Sequence, residues 1–139
     1  MDVIDVNKFN IEETKEFLSK ICNKIDEEVL ENASLLVNED QIVGMMSFEC
    51  FGNNALIRYF IFKKVIDEVS LLKLFQNVVN KAKNKSIKNI LSFIEKEDTI
   101  PLFKYLGFFP IDKKYVFIDE NSILKTSSRN ASVYCYKIT

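Results

Sequence analysis

The feature that most constrains this sequence is the stretch from Ala55 to Phe109, which predicts a strand, a helix, a strand and a short helix in that order. Ala55–Phe62 is almost entirely apolar or aromatic, as in a strand that is buried on both faces. Asp67–Lys85 has apolar residues at helical spacing, and its first residue suits an N-cap. Asn89–Ile94 is a second compact strand. A helix between two strands predicts a right-handed parallel crossover.

The residues on either side of this stretch predict additional strands and helices. Asn10 precedes a segment with apolar residues at helical spacing up to Ile25, and Glu13 follows it at the spacing of a capping box. Gly107 suits the residue that ends a short helix. The predicted outer elements are the strands Val3–Val6, Ser34–Val37, Gln41–Cys50, Tyr115–Asp119 and Val133–Ile138, the short helix Thr99–Leu106 and a Ser-rich connection at 126–132. This order predicts an α+β fold with a mixed, mostly antiparallel sheet flanked by helices.

Length and composition predict a single domain over residues 1–139. Apolar residues make up 47% of the chain, which is enough for a core and too much for a disordered segment. No apolar run approaches the roughly 20 residues that a membrane helix needs. The N-terminal residues lack the basic and apolar regions of a signal peptide. We therefore expect a cytoplasmic protein with no membrane partner.

The cysteine and histidine content argues against the usual metal sites. The chain has no histidine, and its three cysteines, Cys22, Cys50 and Cys135, lie far apart in the sequence. The common zinc sets combine cysteine with histidine or use pairs of closely spaced cysteines. We expect no metal and reduced cysteines. A catalytic thiolate at Cys22 or Cys135 would need a base other than histidine.

The central stretch resembles the acyl-CoA-binding half of the GCN5-related N-acetyltransferase (GNAT) superfamily. Three features carry the resemblance over Ala55–Pro110: the apolar strand that leads into the long helix, the junction Lys81–Ile90, and the helix end Pro101–Phe108. The junction is similar to the family's basic turn between helix and strand. The last segment is similar to the family's helix end with leucine, glycine and phenylalanine. The resemblance implies a GNAT-like fold and an acyl-CoA cofactor such as acetyl-CoA.

The resemblance also implies a cofactor-binding segment at the start of the long helix. In the family, a loop that begins with Arg or Gln and contains two glycines directs backbone N–H groups at the cofactor pyrophosphate. The matching positions here are Ile66, Val69 and Leu71, so both glycines are absent. Asp67 and Glu68 add negative charge where a diphosphate would bind, and the structural alternative is that they cap the helix and no anion binds. The implied cofactor-binding set, with the preceding strand end, is Ile61, Phe62, Lys63, Ile66, Val69, Ser70 and Leu71.

The resemblance implies a general acid that this chain lacks. The family often has a tyrosine on the short helix, four residues before its glycine, and this position is Phe103 here. Tyr105 is the next hydroxyl, although two residues turn it about 200° around a helix. The candidate bases are Glu49, on the strand before the central stretch, and Glu95, after the second strand. Each is also explained as a surface carboxylate.

These residues leave two main functions open. The first is an acyl-CoA-dependent N-acyltransferase that acts on an amine despite its divergent cofactor loop. The second is a catalytically inactive GNAT-like domain that serves as a binding or regulatory module, has no cofactor, and is favoured by the loss of both the glycines and the tyrosine. A third function, nucleic-acid binding through Lys73, Lys81, Lys85 and Lys88, is disfavoured because the arginine content is low and exposed aromatic residues do not alternate with these lysines. Exposed edges of the final strands predict that two chains can pair as a homodimer.

Overall fold

The computed structural model of the protein describes residues 1–118, 121–122 and 130–139. The helices are α1 (Ile11–Ser19), α2 (Glu27–Glu31), α3 (Glu68–Asn84) and α4 (Ile100–Tyr105). The strands are β1 (Asp2–Asp5), β2 (Ser34–Asn38), β3 (Gln41–Phe51), β4 (Asn54–Phe62), β5 (Asn89–Ile94), β6 (Phe109–Ile111), β7 (Phe117–Ile118), β8 (Asn121–Ser122) and β9 (Ser132–Lys137). No helix in these ranges is long and apolar enough to cross a membrane.

Seven of the strands form one mixed sheet, in the order β1-β2-β3-β4-β5-β9-β6. β1 pairs with β2, β2 with β3, β5 with β9, and β9 with β6 in antiparallel register. β4 and β5 are parallel, as the helix between them predicts. The predicted α+β class and the mixed, mostly antiparallel sheet flanked by helices are confirmed. The short strands β7 and β8 pair separately.

The parallel register between β4 and β5 is short. It joins Asn54–Leu56 to Asn89–Leu91, although β4 continues to Phe62 and β5 to Ile94. Beyond this register, β5 is paired with β9 along its whole length. A strand has backbone hydrogen-bonding groups on both of its edges. After Leu56, the groups on the edge of β4 that faces away from β3 are not in the described register with β5.

The chain divides into two compact units, of which the first contains residues 1–49 and 58–81. Its core under α1 and α2 contains Phe17, Leu18, Leu30, Leu35 and Met45, all almost fully buried. The apolar stripe of α3 is also buried, as its helical spacing predicts. The buried members of that stripe in this unit are Leu71, Leu74, Phe75 and Val78.

The second unit contains residues 50–57 and 82–139. Its described core includes Leu56, Leu91, Val116, Val133 and Cys135. The predicted end of the short helix is confirmed, since Gly107 has a φ of +102°. After this turn, the Phe108 ring packs edge-on to the Phe103 ring with centroids 5.1 Å apart. This aromatic contact fixes the end of α4.

The predicted N-terminal helix is shorter than its apolar spacing suggests. α1 ends at Ser19, and Ile21 is exposed. Beyond Ser19 the carbonyl of Leu18 accepts the N–H groups of both Ile21 and Cys22. The predicted capping box is wrong: Asn10 precedes the helix, but its side chain accepts the N–H of Asn7 and donates to the carbonyl of Asp5. Asn10 thus organises the connection from β1 instead of capping the helix.

The end of the sheet also differs from the prediction. The sequence missed β6, a three-residue strand with Pro110 at its centre, because a proline disfavours a strand unless it has a special position. β9 lies between β5 and β6, so it is not an edge strand, and the described edges of the large sheet are β1 and β6. The predicted strand Tyr115–Asp119 begins with the last residue of a 3-10 turn, Lys113–Tyr115, and contains the two residues of β7. Most of the predicted Ser-rich connection at 126–132 lies outside the described residues, as does Asp119.

Candidate functional site

The beginning of α3 is capped by the side chain of Asp67. Its carboxylate accepts the N–H of Ser70 at 3.0 Å, and its carbonyl accepts the N–H of Leu71 at 3.1 Å. Hydrogen bonds from the Ser70 hydroxyl and N–H hold the pKa of Asp67 below its ordinary value. The bond to Leu71 is the first intrahelical bond of α3. The cap therefore satisfies one, that of Ser70, of the four N–H groups that a helix start leaves without intrahelical partners.

Two of the other N–H groups at this helix start belong to Glu68 and Val69. In residues 1–118, which include this turn, neither N–H has a protein acceptor. Val69 stands where the family's first glycine is expected, and its side chain is 62% exposed. Ser70 and Leu71 are buried. A valine at this position therefore leaves its backbone N–H in place, beside two carboxylates that repel an anion.

The predicted cofactor contacts at the end of β4 differ in the direction of their backbone groups and of their side chains. The N–H of Lys63 donates to the carbonyl of Val43 on β3 at 2.9 Å. Because neighbouring residues of a strand direct their backbone groups to opposite edges, Phe62 directs its N–H and C=O away from β3, whereas Ile61 directs them towards it. The Phe62 side chain lies over Gly44, where an added Cβ would be 2.6 Å from the ring. Phe62 is thus the residue of this strand end with the most suitable backbone orientation for an extended ligand.

The side chain of Lys63 lies on the α1 side of the sheet. Its ammonium is 5.0 Å from the ring centroid of Phe17, within the range of a cation–π contact. Both residues line a groove of about 450 Å³, together with Glu13, Glu16, Lys20 and Asp40. The groove is therefore lined by side chains of both charges.

Tyr59 has a strained backbone that the sequence did not predict. Its φ is +42°, a left-handed value that is uncommon for an aromatic residue and rare inside a strand. The ring packs against the core under α1, and the hydroxyl accepts the N–H of Asp26, the N-cap of α2, at 3.0 Å. Residues in such conformations concentrate at functional sites, where the surrounding structure holds them. A glycine at this position would have indicated an irregular strand, but a tyrosine within an apolar run gives no such indication.

Glu49 and Arg58 form an ion pair across β3 and β4. Arg58 Nη1 lies 3.3 Å from Glu49 Oε1, and the two side chains are 47% and 27% exposed respectively. The Arg58 backbone is held as well, because its carbonyl accepts the hydroxyl of buried Ser47 at 3.2 Å. The candidate base Glu49 thus has a cationic neighbour immediately before the strained residue Tyr59.

The remaining catalytic candidates belong to the second unit. Glu95 is exposed directly after β5. Tyr105 is half exposed at the end of α4, while Phe103 is buried with 3% of its surface exposed. Phe103 therefore serves the core of this unit at the position where the family has its acid. Glu95 and Tyr105 remain predictions.

The cysteines and one of the lysines were candidates for other chemistries. All three cysteines are reduced thiols, and burial raises the pKa of Cys135. No group of three or more acidic, cysteine or histidine side chains suited to a metal ion occurs among the described residues. Lys81, one of the candidate nucleic-acid contacts, is instead bound to the carboxylate of Asp5 at 2.9 Å and to the carbonyl of Ala33.

Comparisons with known proteins find similarity in structure only. No protein-family model matches the chain, and no curated protein matches its sequence. A GNAT-family acetyltransferase from Staphylococcus aureus Mu50 superposes with a TM-score of 0.68 at 22% identity, covering 99% of both chains. Rv2747 from Mycobacterium tuberculosis, crystallised with CoA and NLQ, gives a TM-score of 0.74 at 10% identity and full coverage of both chains.

The structure of N-acetylglutamate synthase from Neisseria gonorrhoeae with coenzyme A and N-acetyl-glutamate gives a TM-score of 0.73 at 12% identity. The match covers 99% of the present chain and 35% of the synthase, so the chain spans about a third of that protein. At these identities the similarity establishes the fold.

Proposed function

We propose that this chain, which has the fold of the GCN5-related N-acetyltransferases, is an acyl-CoA-dependent N-acyltransferase that transfers an acetyl or other acyl group to an amine. The observation that carries the proposal is the short parallel register between β4 and β5, which ends at Leu56 and Leu91. The later residues of β4 lie outside that register, and we infer that an extended ligand binds along their edge. Solved proteins with this fold contain coenzyme A, which supports the choice of cofactor.

The cofactor would be bound mainly by backbone groups. The N–H groups of Glu68 and Val69 would receive the pyrophosphate, aided by the positive end of the α3 dipole. The pantetheine arm would run along the end of β4, where Phe62 directs its amide away from β3. Ile61, Lys63, Ile66, Ser70 and Leu71 would shape this surface rather than donate to the ligand, since the N–H groups of Lys63, Ser70 and Leu71 already have acceptors.

The chemistry would depend on positioning more than on acid catalysis. An amine placed in line with the thioester gains much of its rate from orientation alone. Glu49 would accept a proton from the acceptor, directly or through water, and Arg58 would keep it oriented. Phe103 cannot protonate the departing sulfur, so a water or a less direct group such as Tyr105 would have to do so. The result is a slow enzyme in comparison with one that has an acid in place.

A calorimetric titration with acetyl-CoA tests cofactor binding, and Asp67→Asn sharpens the test. Asparagine still caps a helix, but it removes the negative charge beside the proposed pyrophosphate position. If the diphosphate binds there, we expect D67N to bind acetyl-CoA about fivefold more tightly, because like charges about 4 Å apart repel by about 1 kcal/mol in water. Glu97→Gln, an exposed acid after β5, is the matched control and should leave the affinity unchanged.

The titration of the wild type tests whether acetyl-CoA binds, and the comparison with D67N tests where its pyrophosphate binds. Heat and a rise in melting temperature with acetyl-CoA support the cofactor assignment, and a selective gain in D67N supports the pyrophosphate position. The absence of both signals at millimolar acetyl-CoA would exclude the acyltransferase. Equal affinities of D67N and the wild type would move the pyrophosphate away from α3.

A binding or regulatory module without catalysis is the second candidate. The burial of Phe103 favours it, because this position contributes to the core and offers no hydroxyl to a reaction. The acids Asp67 and Glu68 at the start of α3 favour it too. A sensitive assay for released CoA thiol with a mixture of amines distinguishes the two functions. Acceptor-dependent release above the rate without protein would rule out the inactive module.

A further inference from the structure

The ion pair between Glu49 and Arg58 has the properties of a recognition site for a small zwitterion. Arg58 is the one charged residue of β4, and its side chain is nearly half exposed. A guanidinium has five N–H donors, more than a single carboxylate can use. Arg58 can therefore bind a second carboxylate while it remains beside Glu49. Glu49 in turn keeps part of its surface accessible to an incoming ammonium or amine.

The position of the pair along β4 relates it to the proposed reaction. Arg58 lies between Leu56, the last residue in register with β5, and Phe62, where the pantetheine arm would bind. It also precedes Tyr59, whose left-handed backbone is fixed by a hydrogen bond to α2 and by packing on the core under α1. If the cofactor runs from α3 along the end of β4, its thioester approaches this segment. The pair is therefore placed where an acceptor would be held.

We infer that the acceptor is a small molecule that carries a carboxylate next to its amine, as α-amino acids do, with Arg58 binding the carboxylate and Glu49 the amine. This inference rests on the proposed acyltransferase function and specifies its substrate class. A carboxylate and a guanidinium 3.3 Å apart present adjacent opposite charges. The two charged groups of an α-amino acid form the complementary arrangement, and Arg binds carboxylates in bidentate geometry.

The reaction balances with these two groups. The acceptor ammonium gives one proton to Glu49, directly or through water, and its nitrogen then attacks the thioester carbonyl carbon. A C–N bond forms and the C–S bond breaks. The sulfur leaves as the CoA thiolate. The nitrogen loses its second proton in this step, and that proton reaches the sulfur directly or through water. The products are the N-acyl amino acid, CoA thiol and one proton released to solvent from Glu49.

Ligand-observed NMR tests this inference without depending on catalysis. The wild type is mixed with a pool of α-amino acids, with the matching α-amino-acid amides, and with the matching decarboxylated amines. We expect saturation transfer to some amino acids and a loss of about 10- to 100-fold in affinity for their amides, the range of a charge-assisted hydrogen bond. Arg58→Gln should remove this difference, and Arg58→Lys should restore part of it. Lys104→Gln, an exposed cation on α4, is the control.

The outcomes separate this inference from the proposed function. A carboxylate preference that R58Q loses, with unchanged thermal unfolding, supports recognition by Arg58 even if no acyl transfer is detected. In that case the acyltransferase fails and the zwitterion site stands. Equal binding of amino acids and amides, binding of neither, or a preference that R58Q retains would overturn the inference. Transfer to amines without a carboxylate at the same kcat/KM would also overturn it while leaving the acyltransferase intact.

Discussion

At the scale of single residues, Asp67 links the stability of α3 to its capacity for anions. Its carboxylate accepts the N–H of Ser70, which leaves the N–H groups of Glu68 and Val69 for any ligand. A glycine-rich loop would offer more N–H groups and less negative charge. The cap and a bound anion are compatible only because they use different N–H groups. The carboxylate of Asp67 still repels the anion, and this repulsion lowers the affinity.

The same carboxylate predicts a pH dependence of folding. The pKa of Asp67 is lowered by its bonds to Ser70. The stability that its charged form adds to the folded state is therefore fully present above the ordinary carboxyl pKa of 3.8, and it is lost as pH falls through the lowered value. We expect the difference in urea midpoint between the wild type and Asp67→Ala to be constant from pH 5 to pH 7, and to shrink at pH values below about 4. The exposed Asp98→Ala is the control. A difference that persists at the lowest pH would show that the charge of the cap is irrelevant.

Gly44 is a second residue whose identity the structure explains. An added Cβ would lie 2.6 Å from the Phe62 ring and 3.4 Å from the Cβ of Leu36, so the ring must move. We expect Gly44→Ala to lower the free energy of unfolding by about 1–3 kcal/mol, as overpacking does. Urea denaturation measures this, with the exposed Gln76→Ala as control. A change below about 0.5 kcal/mol would mean that Phe62 moves at little cost and does not form a firm surface for a ligand.

At the scale of elements, α3 and α4 illustrate what a sequence pattern contains. The apolar stripe of α3 and the glycine at the end of α4 act through local geometry, so both were predictable. The length of α1 was not, because the apolar spacing continues for several residues beyond the end of the helix at Ser19. β6 was missed because three residues around a proline become a strand only through pairing with β9.

The candidate site was predictable to a similar, limited extent. The resemblance indicated which backbone segments to consider, and the start of α3 is an intact helix terminus with Asp67 as its cap. The Arg58–Glu49 pair and the strained Tyr59 depend on the register of β3 and β4 and on the distant N–H of Asp26, which no local pattern encodes. The same holds for Lys63, whose ammonium lies over the Phe17 ring of α1.

The end of α4 allows a prediction about this element alone. Gly107 has a φ of +102°, and a Cβ there would lie 3.3 Å from the Tyr136 ring. We expect Gly107→Ala to cost about 1–2 kcal/mol of unfolding free energy, since an L-residue is strained in a left-handed conformation. Lys104→Ala, at an exposed position of the same helix, should change stability by less than about 0.5 kcal/mol. Equal effects of the two substitutions in thermal or urea unfolding would contradict a structural role for the positive φ.

At the scale of the whole molecule, the sheet combines strands from both ends of the sequence. β9 comes from the last residues of the chain and lies between β5 and β6. Its Cys135 is 6% exposed, and burial raises the pKa of the thiol, although Lys137 lowers it to a smaller extent. A thiol reacts as the thiolate, so Cys135 is doubly protected in the folded state. It therefore reports on opening of the second unit.

This protection predicts that Cys135 is modified only when the protein opens. In a variant with Cys22→Ser and Cys50→Ser, we expect iodoacetamide or an aromatic disulfide to react with Cys135 at a rate that rises steeply with urea below the unfolding midpoint. The control variant that keeps only Cys22, which is partly exposed, should react at a rate that depends weakly on urea.

Acetyl-CoA gives a second test of the same mechanism. If opening limits the reaction, the ligand at a free concentration [L] should slow Cys135 modification by the factor 1 + [L]/Kd, with Kd measured by calorimetry, because a ligand of the folded state reduces the open population. Rapid labelling of Cys135 without urea would contradict its burial.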